Sequence, residues 1–209
     1  MRRGTPIPEL RQGRRHLCCW LGIMGPQDGV DLVLHATRYL VDELGRDDVH
    51  VALLGFGDCL DDLRRLATEL RLDDVVTFTG RAGPDLISDY LSTADIGLTP
   101  DPSNPLNEVS TMNKTMEYMA FGLPVVATNL KETRVTARDA AMYVPSGDPG
   151  AIARAVVNLL DDPDRRAAMG RAGRRRIEQE LAWEHQAPTY VSVYERLIGP
   201  PGAAKTPTP

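Results

Sequence analysis

The chain has 209 residues, of which 42% are hydrophobic, and it carries a formal net charge of -5 at pH 7. This length gives one domain with a substantial core, and the acidic balance argues against general nucleic-acid binding, which needs a basic surface. No apolar run is long enough to span a membrane and no signal peptide is visible, so we predict a cytoplasmic protein without a transmembrane segment.

Cysteine and histidine usage bears on redox and metal chemistry. Cys18 and Cys19 are adjacent in a predicted strand and Cys59 stands alone. This pattern predicts buried reduced thiols, because a disulfide framework needs more cysteines at regular spacing. The histidines do not lie at ligand spacing with acids or cysteines, so we predict no metal site and no cofactor.

Strand-like and helix-like segments alternate along the chain. Short apolar segments predict the strands, and 3.6-residue apolar periodicity or a proline at a helix start predicts the helices. Strands are predicted at 16–21, 49–54, 75–78, 96–99, 124–128 and 141–144, helices at 30–44, 60–70, 84–92, 112–122, 149–160, from 163 and at 183–197, and a loop at 130–134. The alternation predicts an α/β fold, a parallel sheet of about six strands with helices on both faces.

The second predicted strand runs into a G-x-G turn formed by Gly55 and Gly57. Glycines at such a turn let the backbone approach a phosphate or sugar, or they simply make a tight connection to the next helix. A dinucleotide-binding fingerprint needs a third glycine at position 60, which is Leu60, and an acid after the next strand, where none occurs. We therefore disfavour a nicotinamide-dinucleotide domain and leave the two other interpretations open.

The segment 104–128 contains the strongest functional signal in the sequence. Ser110 and Thr111 are favourable N-cap residues, so we predict a helix that begins near Met112 and presents free backbone N–H groups to an anion. Lys114 lies in the first turn, where a positive charge opposes the helix dipole but suits a neighbouring phosphate. The alternative is that this lysine is an ordinary surface residue.

Three polar residues share one face of this helix. Asn113 and Lys114 lie four and three residues before Glu117, so the three side chains are neighbours. A carboxylate at this place can accept two hydrogen bonds from a ribose diol. The face therefore predicts a phosphate site at Met112, Asn113 and Lys114, beside a ribose site at Glu117.

The residues after Glu117 carry a recognisable pattern: Met119, Ala120, Gly122 and then Pro-Val-Val at 124–126. This pattern resembles the retaining glycosyltransferases of family 4, which have the GT-B arrangement of two Rossmann-like halves. The resemblance covers about residues 17–197 and implies the C-terminal, nucleotide-sugar-binding half. It implies a linker at 1–16, a Rossmann-like donor-binding domain at 17–198 and, with a tail that lacks apolar residues, disorder at 199–209.

The resemblance also implies roles for individual residues. Glu117 corresponds to the glutamate that binds the ribose of the nucleotide sugar, Gly22, Gly55 and Gly57 lie near the donor, and Arg81 lies beside the nucleotide base. Arg81 either stacks on or hydrogen-bonds the base, or it is an exposed surface arginine.

Several positions depart from the family pattern. The first glutamate of the family's E-x7-E pair corresponds to Val109, and Glu108 is one residue out of register, so we take Glu108 as the candidate for the sugar contact. The arginine and lysine that bind the diphosphate in many members correspond to Ile23 and Asp28. We therefore expect Lys114 to supply more of the positive charge at the phosphate and to act with Glu108 in catalysis.

The function that the resemblance implies is hexosyl transfer with retention from a nucleotide diphosphate sugar, preferably a UDP-sugar, without a metal. The N-terminal half that binds the acceptor in GT-B enzymes is absent from the 209 residues. We therefore expect the isolated chain to be inactive without that domain, and the acceptor is not identified. The alternative is a non-catalytic nucleotide-sugar-binding or partner-docking subunit that requires a second chain.

Overall fold

A computed structural model of the chain describes residues 3–198. Six parallel strands alternate with eight α-helices within this range. The strands are β1 (His16–Ile23), β2 (Val49–Phe56), β3 (Val76–Gly80), β4 (Ile96–Thr99), β5 (Val125–Thr128) and β6 (Ala141–Val144). The helices are α1 (Val30–Asp42), α2 (Leu60–Glu69), α3 (Pro84–Thr93), α4 (Asn113–Ala120), α5 (Lys131–Ala137), α6 (Pro149–Leu160), α7 (Pro163–Arg176) and α8 (Trp183–Ile198).

The strands form a single sheet in the order β3-β2-β1-β4-β5-β6. From β1, the strands β2 and β3 extend the sheet in one direction, and β4, β5 and β6 extend it in the other. The strand order therefore reverses between β1 and β4. The predicted α/β fold, a Rossmann-like parallel sheet of six strands with helices on both faces, is confirmed.

The two central strands separate toward their carboxyl ends. β1 pairs with β4 only at Cys18 with Ile96 and at Cys19 with Gly97, although β1 continues to Ile23 beside β2. In open parallel sheets a ligand binds outside the carboxyl ends of the strands, where the strand order reverses. The fold thus provides a crevice between β1 and β4.

Each face of the sheet packs against its own set of helices, because successive side chains of a strand point to opposite faces. Cys18 and Trp20 pack with α1, α2 and α6, whereas Leu17, Cys19 and Leu21 pack with α3, α4 and α5. The thiols of Cys18 and Cys19 are free and buried, as predicted, and burial raises the pKa of each well above its ordinary value. Cys59 is also free but only partly buried, so the prediction of a buried thiol is wrong there.

The start of α4 differs from its prediction. Met112 is the N-cap residue and provides no side-chain hydrogen bond, so the prediction that Ser110 or Thr111 caps the helix is wrong. Ser110 follows the short 3₁₀ helix Asn107–Val109, and its hydroxyl donates to the carbonyl of Leu106 at 2.7 Å. The Ser110 hydroxyl is therefore hydrogen-bonded to the preceding 3₁₀ turn and does not cap α4.

The predicted linker at 1–16 is described from residue 3 and packs against the domain. Its 3₁₀ helix Pro8–Arg11 lies near α3, the N–H of Ile7 donates to Thr93 Oγ1 at 2.9 Å, and Arg11 pairs with Asp95 at 2.5 Å. The predicted disordered tail, 199–209, lies outside the described residues. Within residues 3–198, no helix combines the length and the apolarity that crossing a bilayer requires.

Candidate functional site

A cavity of about 380 Å³ lies at the carboxyl ends of β1 and β2, beside the start of α4. Leu21, Leu54, Phe56 and Ile87 give it an apolar wall. Six residues that the sequence predicted as a site line the same cavity: Gly22, Gly55, Met112, Asn113, Lys114 and Glu117. Their side chains and backbone meet because β1, β2 and α4 all end or begin at this edge of the sheet.

Glu117 lies in the second turn of α4 and is half-buried. Its carboxylate has no hydrogen-bond or ion-pair partner among the described residues, and burial raises the pKa of this carboxyl. A half-buried carboxylate that lines a cavity and has both oxygens free is able to accept two hydrogen bonds from a ligand. The structure therefore leaves Glu117 available for the diol contact that the sequence predicted.

Lys114 is buried, so the alternative of an ordinary surface lysine is wrong. Its Nζ lies 2.6 Å from Asp101 Oδ1 and 3.4 Å from Asp28 Oδ1, and 5.2 Å from the centroid of the Trp20 ring. The ammonium thus reaches the cavity already paired with two carboxylates. The positive charge that we expected Lys114 to supply at a phosphate is therefore already compensated by these carboxylates in the free protein.

Asp101 is the site residue that the sequence interpretation missed. It lies two residues after the end of β4, at the carboxyl edge of the sheet, and its side chain is 1% exposed. A polar residue in the loop that follows a parallel strand was the available signal, because such loops surround the ligand site of this fold. Asp28 was identified only as the residue in place of a family lysine, and the structure shows that its carboxylate faces Lys114 instead.

The first turn of α4 is open toward the cavity. The helix has no side-chain cap, and Asn113 at its first position is exposed. The first N–H groups of a helix lack intrahelical acceptors and carry part of the helix dipole, so they attract anions. Backbone N–H groups and the Lys114 ammonium therefore face the same space.

Glu108 lies outside the residues that line the cavity. Ser103 Oγ donates to its Oε1 at 2.6 Å and the N–H of Lys131 donates to its Oε2 at 3.0 Å. These two hydrogen bonds lower the pKa of the Glu108 carboxyl. Because Lys131 is the first residue of α5, the carboxylate caps that helix, which gives Glu108 a structural function independent of any sugar contact.

Two further predicted residues also lie beside the cavity and not in its wall. A Cβ at Gly57 would lie 2.6 Å from backbone atoms of Met24, so close approach of protein backbone already requires a glycine there. The guanidinium of Arg81 lies 3.7 Å from the ring centroid of Phe56, whose side chain does line the cavity. Arg81 therefore stacks on the ring of Phe56, and only Phe56 of the two lines the cavity.

The parallel sheet with its cavity at the carboxyl edge defines a Rossmann-like α/β domain. The chain belongs to the family described as glycosyl transferases group 1, which matches residues 15–162. This match covers the six strands and their carboxyl-edge loops, including every residue of the cavity described above.

Two curated relatives show how far the similarity extends. The chain is 33% identical over 162 residues to the GDP-mannose-dependent monoacylated alpha-(1-6)-phosphatidylinositol monomannoside mannosyltransferase of Corynebacterium glutamicum, covering 76% of this chain and 42% of that protein. It is 30% identical over 186 residues to the D-inositol 3-phosphate glycosyltransferase of Streptomyces coelicolor, covering 85% and 39%. The chain thus spans less than half the length of these relatives.

Solved structures share the fold. The Anabaena HepE protein, in a crystal structure with UDP and glucose, superimposes with a TM-score of 0.74 at 16% identity, over 90% of this chain and 50% of that one. At 16% identity, this superposition shows only that the two proteins share the fold.

Proposed function

We propose that the chain is the donor-binding domain of a retaining glycosyltransferase of family 4, equivalent to the C-terminal half of a GT-B enzyme. In this proposal a nucleotide diphosphate sugar occupies the 380 Å³ cavity at the carboxyl edge of the sheet. The observation that carries the proposal is Glu117, a half-buried carboxylate in the cavity wall without a partner among the described residues. A structural carboxylate of this burial would normally be paired.

Each group of the site has one task in the proposed reaction. Glu117 accepts hydrogen bonds from the two ribose hydroxyls and so fixes the nucleotide. Breaking the glycosidic bond leaves negative charge on the diphosphate, and the N–H groups at the start of α4 together with the Lys114 ammonium stabilise that charge. Preorganised donors of this kind lower the barrier because they need no reorganisation when the bond breaks. The domain itself supplies these donors, so the proposed mechanism uses no metal.

The proposed donor is a UDP-sugar or a GDP-sugar that transfers a hexose. The sequence favoured a uridine nucleotide, whereas the Corynebacterium relative is named as GDP-mannose-dependent, and its 33% identity supports a guanosine nucleotide. The residues beside the proposed base position, Phe56 and the Arg81 that stacks on it, offer an aromatic face and a guanidinium to either base.

Acceptor binding is proposed to require a second domain. The described residues form one sheet with one cavity at its carboxyl edge, and the chain spans about two fifths of its curated relatives. A non-catalytic subunit that binds the nucleotide sugar and docks to a second chain is the alternative, and the same observations support it.

Calorimetry with UDP, GDP and ADP tests the donor proposal. We expect one of the three nucleotides to bind with one-to-one stoichiometry and to bind more tightly than its nucleoside, because the diphosphate adds contacts with α4. Absence of binding by all three would reject the donor site. Transfer from the nucleotide sugar that corresponds to the preferred nucleotide is then measured with and without an acceptor-binding domain from a relative. Transfer only in the presence of that domain supports the proposal of a glycosyltransferase donor domain. Binding without transfer under both conditions supports the alternative of a non-catalytic subunit.

A further inference from the structure

The charges around the proposed diphosphate position do not favour an anion. Lys114 contributes one positive charge, and Asp28 and Asp101 contribute two negative charges when both are ionised. The side-chain cluster formed by these three residues, the Lys114 cluster, therefore carries a net charge of minus one before a ligand with two further negative charges enters. Like charges at this distance in a half-enclosed site repel each other, so a loss of negative charge from the cluster would favour donor binding.

Asp101 is the group that the surroundings prepare for such a change. Its side chain is 1% exposed, its Oδ1 accepts from Lys114, and its Oδ2 is buried without a hydrogen-bond partner among the described residues. The Lys114 ammonium is the main group that stabilises the anionic form of this carboxyl. Burial is the main cause that raises the pKa of this carboxyl, against the lowering effect of Lys114.

Asp28 is more exposed than Asp101 and has a second hydrogen-bond partner. Its side chain is 16% exposed, and its Oδ2 accepts a hydrogen bond of 3.1 Å from the N–H of Gly25. The other titratable group that faces Asp101 is the phenol of Tyr118 on α4, whose pKa burial raises well above its ordinary value, so it stays neutral.

We propose that the nucleotide sugar enters this site together with one proton, which the Asp101 carboxylate takes up from solvent. This inference rests on the proposed function of the cavity. The proton neutralises Asp101, so Lys114 then serves the diphosphate and Asp28 and no longer a buried anion. Neutral Asp101 still accepts the hydrogen bond from Lys114 and holds the ammonium beside α4, which makes it a positioning residue. A neutral carboxyl is also far less costly than an anion in this buried position.

Calorimetry in two buffers of different ionisation enthalpy measures this proton directly, because the buffer supplies it. UDP-glucose and GDP-mannose are the probes, since the diphosphate of a nucleotide sugar has no ionisation of its own near neutral pH. We expect uptake at pH values above 3.8, the ordinary pKa of this carboxyl, of up to one proton per bound nucleotide sugar, with an affinity that falls by up to about tenfold per pH unit. Binding with no proton uptake across this range would overturn the inference while leaving the donor proposal intact.

Two variants assign the proton to its residue. Asp101→Asn removes the carboxylate, so we expect it to bind without proton uptake and with an affinity that no longer depends on pH. Asp95→Asn is the matched control, because Asp95 flanks the other end of β4 and is also paired with a cation, Arg11. This control keeps the uptake of the wild type. Equal uptake by wild type and Asp101→Asn would assign the proton elsewhere and overturn the inference.

Two further measurements test whether the diphosphate causes the proton uptake and whether a metal ion compensates the charge instead. Uridine or guanosine, which carry no phosphate, should bind without uptake, since Glu117 and the ribose alone do not add charge to the Lys114 cluster. A divalent cation that bridges Asp28 and the diphosphate would also compensate the charge. Binding that requires Mg²⁺ and takes up no proton would therefore overturn the inference, and would indicate that a metal ion compensates the charge.

Discussion

The hydroxyl of Tyr118 bridges the gap between two strands. It accepts a hydrogen bond of 2.8 Å from the N–H of Leu21 in β1 and donates one of 3.2 Å to the carbonyl of Leu98 in β4. These two strands have already separated at this level of the sheet, so the phenol satisfies backbone groups that have no partner strand. Because Tyr118 follows Glu117 directly, the same bonds fix α4 at the cavity.

Replacing Tyr118 by Phe should destabilise the domain by about 2 kcal/mol, because it leaves a buried donor and a buried acceptor unsatisfied. Urea unfolding of wild type and variant measures the difference. Tyr90→Phe is the matched control, since Tyr90 is buried in the same core and should lose less than about 0.5 kcal/mol. Equal losses for the two variants would contradict the bridging role of Tyr118.

Replacing Glu117 by Ala should lower the affinity for the preferred nucleotide by about a hundredfold or more, because two hydrogen bonds from the ribose to a charged acceptor are lost. Calorimetry with the nucleotide and with its nucleoside should give the same loss, since both carry the ribose. Glu69→Ala, at the exposed end of α2, serves as the control and should bind as wild type does. Unchanged affinity of the Glu117 variant would remove the ribose contact.

Replacing Glu117 by Gln should at the same time stabilise the free protein at neutral pH. Burial raises the pKa of this carboxyl above its ordinary value of 4.5, so the folded state favours the protonated form. Its ionisation therefore lowers the stability of the wild type as the pH rises through 4.5 and up to the raised pKa. Unfolding at several pH values should show a gain for the variant above this interval and none below it. A loss of stability of the Glu117→Gln variant at neutral pH would show instead that the Glu117 carboxylate has a stabilising partner in the wild type.

Replacing Lys114 by Ala should weaken binding of the diphosphate more than binding of the nucleoside, and it should destabilise the free protein by about 3 to 5 kcal/mol, because Asp101 is left as a buried charge without its partner. Combining it with Asp101→Asn should restore much of the stability but not the diphosphate affinity. Equal losses of affinity for nucleotide and nucleoside would count against contact between Lys114 and the phosphate.

The Lys114→Ala variant should also respond to pH in a defined direction. Without the ammonium, burial raises the pKa of Asp101 unopposed by its main counter-charge. The folded state then favours protonated Asp101, so the stability of the variant falls as the pH rises above 3.8, the ordinary value for this carboxyl. Acid and neutral unfolding curves that coincide would show that Asp101 finds another partner.

Replacing Glu108 by Gln should reduce stability and leave the affinities for nucleotide and nucleotide sugar within about twofold, because its carboxylate caps α5 outside the cavity wall. Its hydrogen bonds lower the pKa of this carboxyl, so its contribution to stability is present above 4.5 and is lost as the pH falls through the lowered pKa. A selective loss of nucleotide-sugar affinity would instead support the sugar contact that the family resemblance implied.

Local signals in the sequence predicted most elements of the fold. β4 and α6 agree with their predictions to the residue, because apolar composition and a proline at the helix start act within each segment. The first part of α5 lies in the segment 130–134 that was predicted as a loop, since the helix contains few apolar positions and its capping acceptor, Glu108, lies 23 residues before Lys131. A helix stabilised by a distant side chain has no local signature.

The amino-acid sequence by itself determined that the chain is an α/β domain and that Glu117 and Lys114 share one helix near the carboxyl ends of the strands. These conclusions depend on periodicity and spacing, which act over a few residues. Only the tertiary structure decided that Lys114 is held by Asp101 and Asp28, which lie 13 and 86 residues away, and that Glu117 is left without a partner. Burial and charge pairing depend on segments that come together only when the whole sheet has formed.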